Sequence, residues 1–154
     1  MILVIVFIVF IFFACEVSMY LSHRFLGHGY EITPLRRSHR IHHISHNDHH
    51  AHEDFMWGAL LLLLLIVLVW TVMGFNNEYS YLFTVSIGVV VFVVVFNWYI
   101  HEAYHHKGHM LERYQWFRNS REEHLQHHQN PHANYGIATS FSDVIFGTSY
   151  RESR

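Results

Sequence analysis

Three long apolar runs are separated by two blocks of histidine, and that alternation restricts what the chain can fold into more than any other feature. Ile2 to Tyr20 is almost unbroken, Phe55 to Met73 contains Leu60 to Leu65 in succession, and Tyr79 to Ile100 carries the valine tract Val89 to Val95. Each run is near the ~20 residues that take a helix across ~30 Å of hydrocarbon. Buried core strands are a poor reading, because a chain of 154 residues with 51% hydrophobic and 14% charged residues has too little polar sequence to hide three such segments. The expected fold is an all-α integral membrane protein, a single domain over 1–154. About three transmembrane helices, at 2–20, 55–73 and 79–100, would carry a histidine-rich helical cap made from 23–52 and 101–132, with helices over 35–52 and 112–129 from their Arg/Glu/Leu content and a tail over 130–148 of loop and turn.

The first run has no basic segment before Ile2 and no small-x-small site before Ser22, so it reads as a retained anchor rather than a cleaved leader. Arg24, Arg36, Arg37 and Arg40 follow the first run, Lys107, Arg113, Arg118 and Arg121 follow the third, and the turn Gly74 to Glu78 has no basic residue. By the positive-inside rule both histidine blocks lie on the cytoplasmic side, in a bacterial inner membrane or the endoplasmic reticulum. A net charge of -2 carries no nucleic-acid signal. The single cysteine, Cys15, lies inside the first run and excludes disulfides and cysteine-ligated zinc.

Four clusters stand out among the 17 histidines: His23-x4-His28, His39-x2-His42-His43, His101-x3-His105 and His124-x2-His127-His128. Spacings of three and four put imidazoles on one helical face, where they can grip a common ion. Adjacent pairs such as His42-His43 and His127-His128 point about 100° apart, so one pair serves two neighbouring ions. Shuffling predicts about 0.2 copies of H-x-x-H-H, against copies here at His39, His46 and His124. These ten residues are the candidate ligands of a two-metal site. His46, His49, His50, His52, His106, His109 and His132 exceed what two ions hold and are expected at the surface or behind the ligands.

Imidazole suits iron, zinc and copper alike, so ligand type alone does not choose the metal. Two rivals are open on the residues. His101-Glu102-Ala-Tyr-His105 is formally H-E-x-x-H, the zinc-protease helix with Glu102 as general base. A non-enzymatic histidine-rich metal buffer or transporter is the other, although the hairpin Phe55 to Ile100 offers almost none of the polar residues an ion path needs. Glu16, seven residues before His23, and Asn97, four before His101, are polar residues inside apolar runs. With Glu102 they are candidates to support the ligands from behind, and an interhelical hydrogen bond is the alternative role for Asn97.

The four boxes in this order, with apolar runs before the first and third, resemble the membrane fatty acid hydroxylase/sterol desaturase superfamily. The tail Asn134-Tyr-Gly-Ile-Ala-Thr-Ser-Phe-Ser-Asp143-Val-Ile-Phe-Gly147-Thr is similar to that family's closing motif, with Ser142 where an aromatic often stands. The stretch His23-Arg-Phe-Leu-Gly-His28-Gly through Asp54 also resembles the beta-carotene hydroxylase branch. The resemblance implies a membrane non-haem di-iron oxygenase. Two iron ions, replaceable by zinc in a purified sample, would be held by His23, His28, His39, His42, His43, His101, His105, His124, His127 and His128. In the third box His106 competes with His105, since the carotenoid branch favours x4 spacing. Dioxygen would be co-substrate and a fatty acyl chain, carotenoid or sterol the lipid substrate. Electrons would come from a separate cytochrome, ferredoxin or reductase, for which Arg113, Arg118 and Arg121 form either a docking patch or an anionic-lipid contact.

Overall fold

The computed structural model describes residues 2–29, 34–45, 52–72 and 80–150. Every regular element among them is helical: α1 (Ile2–Ser22), a π-helical turn (His23–Gly27), α2 (Pro34–Ser45), α3 (His52–Val72), α4 (Ser80–His105), a 3-10 turn (Met110–Arg113), α5 (Gln115–Gln129) and α6 (Phe141–Phe146).

The three long helices α1, α3 and α4 pack side by side. Cys15 and Met19 of α1, Ala59, Leu62 and Ile66 of α3, and Val90, Val93 and Ile100 of α4 form one buried cluster. Small residues let the backbones approach. A Cβ at Gly58 would stand 2.9 Å from the Met19 Cα, and the Ser18 hydroxyl donates to the Gly58 carbonyl at 2.8 Å. The outward faces stay apolar, with Ile5, Phe10, Leu61, Leu64, Phe92 and Val95 all exposed. So continuous an apolar exterior is foreign to a water-facing monomer.

Among the described residues two stretches are long and apolar enough to cross a membrane, Ile2–Gly27 and Ser80–His105, whose 18-residue windows reach mean hydropathies of 2.9 and 2.2. The third expected span, 55–73, falls on α3 up to Val72, and Met73 lies outside the described residues. α3 opens on the polar residues His52, Glu53 and Asp54 and is apolar from Phe55 to Val72.

The helix expected over 35–52 is present as α2 over Pro34–Ser45, and 46–51 lie outside the described residues. The cap departs from expectation in two places. The helix expected over 112–129 is divided, because the His109 ring accepts from the Leu111 amide and starts a separate 3-10 turn before α5 begins at Gln115. The tail, read as loop and turn, contains α6, closed by Gly147 in the left-handed region at φ 67°.

Candidate metal centre

His23 and His28 are five residues apart, which on an α-helix would set them about 140° apart. The π-helical turn at the end of α1 removes that offset. The His28 amide donates to the His23 carbonyl at 3.2 Å, closing an i to i+5 ring, and the two imidazole centroids stand 5.1 Å apart. The first box therefore works through a change of helix type that a 3.6-residue periodicity does not contain.

All ten candidate ligands gather into two groups of five. One is His23, His28, His39, His43 and His127; the other is His42, His101, His105, His124 and His128. Within each group the ligand nitrogens lie within 4.8 Å of one another. A first-row ion takes imidazole nitrogen at about 2.0–2.1 Å, so ligands of one ion are separated by at most about 4.2 Å, and each group is close to that size. The adjacent pairs divide as their 100° offset requires. His42 and His43 go to different groups, as do His127 and His128. The groups are neighbours, with the His43 and His128 rings stacked at 4.3 Å between centroids across the boundary.

The chemistry of the donors fits a cation. In the first group the His39 Nε2 stands 2.7 Å from that of His28, 2.8 Å from that of His43 and 3.2 Å from that of His23, while the His28 and His127 Nε2 atoms are 3.0 Å apart. In the second, the His124 Nε2 lies 3.0 Å from that of His105 and 3.1 Å from that of His128. Two far-side nitrogens are committed elsewhere. His23 Nδ1–H donates to the Tyr135 carbonyl and His127 Nδ1–H to the Ala133 carbonyl, both at 2.6 Å. A carbonyl accepts only, so each ring is fixed as the tautomer whose Nε2 lone pair faces the group, the arrangement that orients metal-binding histidines. Burial, reinforced by neighbouring histidines, holds His28, His124 and His127 well below the ordinary imidazole range, and burial lowers His39 to about 4. At neutral pH these rings are uncharged and available as ligands.

The tail positions the carbonyls. Asp143 is 1% exposed; its Oδ1 accepts from the Tyr135 amide at 2.8 Å and the Thr148 hydroxyl at 2.7 Å, and its Oδ2 from the Gly136 amide at 2.7 Å. A Cβ at Gly136 would meet the Thr139 carbonyl at 2.3 Å, so only glycine fits there. Asn134, at φ 54°, ties the loop to Tyr150 through both backbone groups of that residue. Reading the sequence by ligand spacing overlooks the Tyr135 and Ala133 carbonyls entirely, since backbone acceptors leave no residue-type signal. Asp143 was visible only as a letter in the closing motif.

Glu16 and Asn97 belong to this tail rather than to the ligands. Asn97 Nδ2 donates to Glu16 Oε1 at 2.9 Å, the Thr139 hydroxyl to Glu16 Oε2 at 2.6 Å, and the Ala138 amide to Asn97 Oδ1 at 3.2 Å. The interhelical bond is thus the role Asn97 takes. Glu102 lies outside both groups, half-buried on α4.

Of the surplus histidines, His106 and His132 are exposed and His109 caps the 3-10 turn; His46, His49 and His50 lie outside the described residues, as does the side chain of His52. The zinc-protease pattern fits poorly. A catalytic zinc of that class keeps three protein ligands and a water, whereas His101 and His105 converge with three further histidines.

No curated protein and no solved structure matches the chain. The family model described as fatty acid hydroxylase matches residues 8–148. That family comprises membrane-associated oxidoreductases of metal-dependent hydroxylation, in keeping with two clustered histidine groups at the ends of apolar helices. Matched from the middle of α1 to the end of the closing loop, this chain belongs to the fatty acid hydroxylase family.

Proposed function

We propose that the chain is a membrane-bound di-iron oxygenase that uses dioxygen to hydroxylate a lipid chain. The observation that carries this reading is the division of ten histidines into two adjacent groups of five, set where α1 and α4 leave their apolar stretches. An all-imidazole donor set holds iron, zinc or copper, and among these the resemblance of the four boxes to di-iron hydroxylases favours iron. Iron bound there supplies the activation of dioxygen needed to attack an unactivated C–H bond.

The chain's own residues do the rest. The five imidazoles of each group would hold one ion, and the Tyr135 and Ala133 carbonyls keep His23 and His127 aimed without adding charge. An apolar cleft of about 430 Å³ lies between α3 and α4, walled by Leu60, Leu63, Val90, Val91, Val94 and Val95. Val90 and Val94 are eleven and seven residues before His101, which puts them within about 20° of it around α4, and Val94 about 10 Å below it. A fatty acyl, carotenoid or sterol-type substrate lying in that cleft extends toward the His101 side of the second group. In this reading α3 is a third span from Phe55 onward, and both histidine groups face the cytoplasm because the basic residues flank them. Electrons come from a separate protein donor. Arg113 and Arg118 are exposed for it, while Arg121 is held by the Tyr104 carbonyl at 2.7 Å and Glu112 at 3.2 Å.

Metal analysis and lipidomics of cells expressing the wild type and a His127→Ala/His128→Ala variant test the proposal. That double variant removes one ligand from each group. Iron at two per chain and a new oxygenated lipid, both absent in the variant, are expected. A wild type that binds no iron and changes no oxygenated lipid ends this reading.

A further inference from the structure

Glu16 on α1 and Asn97 on α4 are buried, at 6% and 2% exposure, and both are spent on the tail. How deep the tail sits follows from the helical rise. The Phe141 ring packs on Phe13 at 4.3 Å between centroids, and Phe146 stacks on Tyr20 at 5.0 Å. Phe13 is nine residues before Ser22, the last residue of α1, so α6 starts about 13 Å below the histidine layer and runs back up beside α1. That is close to half of a ~30 Å hydrocarbon slab.

Irregular backbone survives at such depth only when the protein itself satisfies its polar groups. It does so here. The Tyr104 hydroxyl donates to the Ile137 carbonyl at 3.0 Å, Asn97 accepts from the Ala138 amide, and Glu16 accepts from the Thr139 hydroxyl. The one charged residue between 137 and 147, Asp143, is buried with both carboxylate oxygens occupied. The outer face of α6 carries no charge at all: Val144 and Ile145 are 67% and 57% exposed. By contrast α5 presents Arg118, Glu122 and Gln129 on its exposed face.

We infer that residues 137–147 form a re-entrant segment, and that the Val144–Ile145 face of α6 lies against the lipid acyl chains of the leaflet beneath the histidine cap. This rests on the reading that α1 and α4 span a bilayer. It gives the two intramembrane polar residues a purpose: they replace the water that the descending backbone loses.

Nitroxide labels at Val144→Cys and Ile145→Cys, in metal-loaded protein reconstituted in phosphatidylcholine vesicles, test the placement. Phe10→Cys on α1 and Gln129→Cys on α5 serve as lipid and water references, and the labelled parent controls for Cys15, which is fully buried. Variants are compared at the parent's metal content. Both α6 positions are expected to show an oxygen-to-nickel-chelate collision ratio several-fold above that at position 129 and near that at position 10. A ratio equal to that at position 129 overturns the inference, and so does exclusion of both reagents at 144 and 145, which would place a second copy or another protein over the face. If position 10 itself reads as aqueous, the spanning reading falls and this inference with it. If position 10 reads as lipid while 144 and 145 do not, the re-entrant segment alone is lost.

Discussion

The two histidine groups use one ligand type and the same number of donors, yet they are assembled differently. The group of His42, His101, His105, His124 and His128 takes two pairs at i, i+4 from α4 and α5, so ordinary helical geometry supplies four of its five nitrogens. The group of His23, His28, His39, His43 and His127 needs a π-turn to align its first pair and two carbonyls of the closing loop to fix His23 and His127. One site draws two i, i+4 pairs from ordinary helices; the other draws one such pair, His39 and His43 on α2, and adds a π-turn and two carbonyls of the tail. Ligand loss should strike both alike, and loss of the tail should strike one.

The largest effect comes from ligand deletion. His39 and His42 lie one turn apart on α2 but belong to different groups. His39→Ala and His42→Ala should each lower bound iron from about two to about one per chain and product formation by at least about 100-fold, and the double variant should bind none. Loss of both ions in either single variant would show that the groups are one cooperative site, and the comparison would break.

Asp143→Ala separates the groups most sharply. Without its carboxylate the Tyr135 and Gly136 amides lose their acceptor and the His23 carbonyl partner is free to move. Supporting residues of this kind change metal affinity by about 10- to 100-fold, and that loss should fall on the first ion only. A chelator-competition titration should become biphasic. An equal loss at both steps would mean that the tail supports the whole cap.

The sequence made legible what helices encode. Apolar run length marked α1 and α4, and the i, i+3 and i, i+4 spacings singled out eight of the ten residues that gather into the two groups. The 100° offset of adjacent histidines separated His42 from His43. Whatever depends on backbone carbonyls or on a change of helix type stayed hidden. The x4 spacing of His23 and His28 does not share an α-helical face, and nothing in Arg24 to Gly27 announces a π-turn. Glu16 and Asn97 were visible as polar residues inside apolar runs, but their spacing of seven and four residues from the boxes pointed toward the metals. Their actual partners, Thr139 and Ala138, are too distant in sequence for periodicity to reveal.

A smaller effect tests the neutrality of the ligands in chelator-treated protein. His39 titrates at about 4 when folded because it is buried, and near 6.5 when unfolded. Between those values the unfolded chain binds more protons, so this contribution is complete above about pH 6.5 and is lost as pH falls toward 4, by about 1.4 kcal/mol per pH unit for such a histidine. The unfolding midpoint of metal-free protein should therefore drop from pH 7 to pH 5, and less steeply in His39→Ala. His124→Ala should flatten the curve as well, since burial lowers that ring in the other group. An unchanged slope in one variant would show that its group opens to water when the metal is gone.

The smallest effect should come from His106→Ala, and it bears on the contrast between the two ways of placing a ligand. The x4 spacing from His101 to His106 equals that from His23 to His28, so sequence alone allows either His105 or His106 in the third box. The local backbone decides. After His23 the helix widens into an i to i+5 ring, whereas at the end of α4 it tightens: the His106 amide donates to the Ala103 carbonyl at 3.3 Å, an i to i+3 bond. His105 thus stays about 40° from His101 and within its group, while His106 is turned outward and exposed. An exposed substitution of this sort costs at most about 0.5 kcal/mol, so His106→Ala should keep both ions and activity within about two-fold, while His105→Ala loses the second ion. The reverse result would require a second π-turn at the end of α4, and the first group's dependence on an altered helix would then be the rule for both.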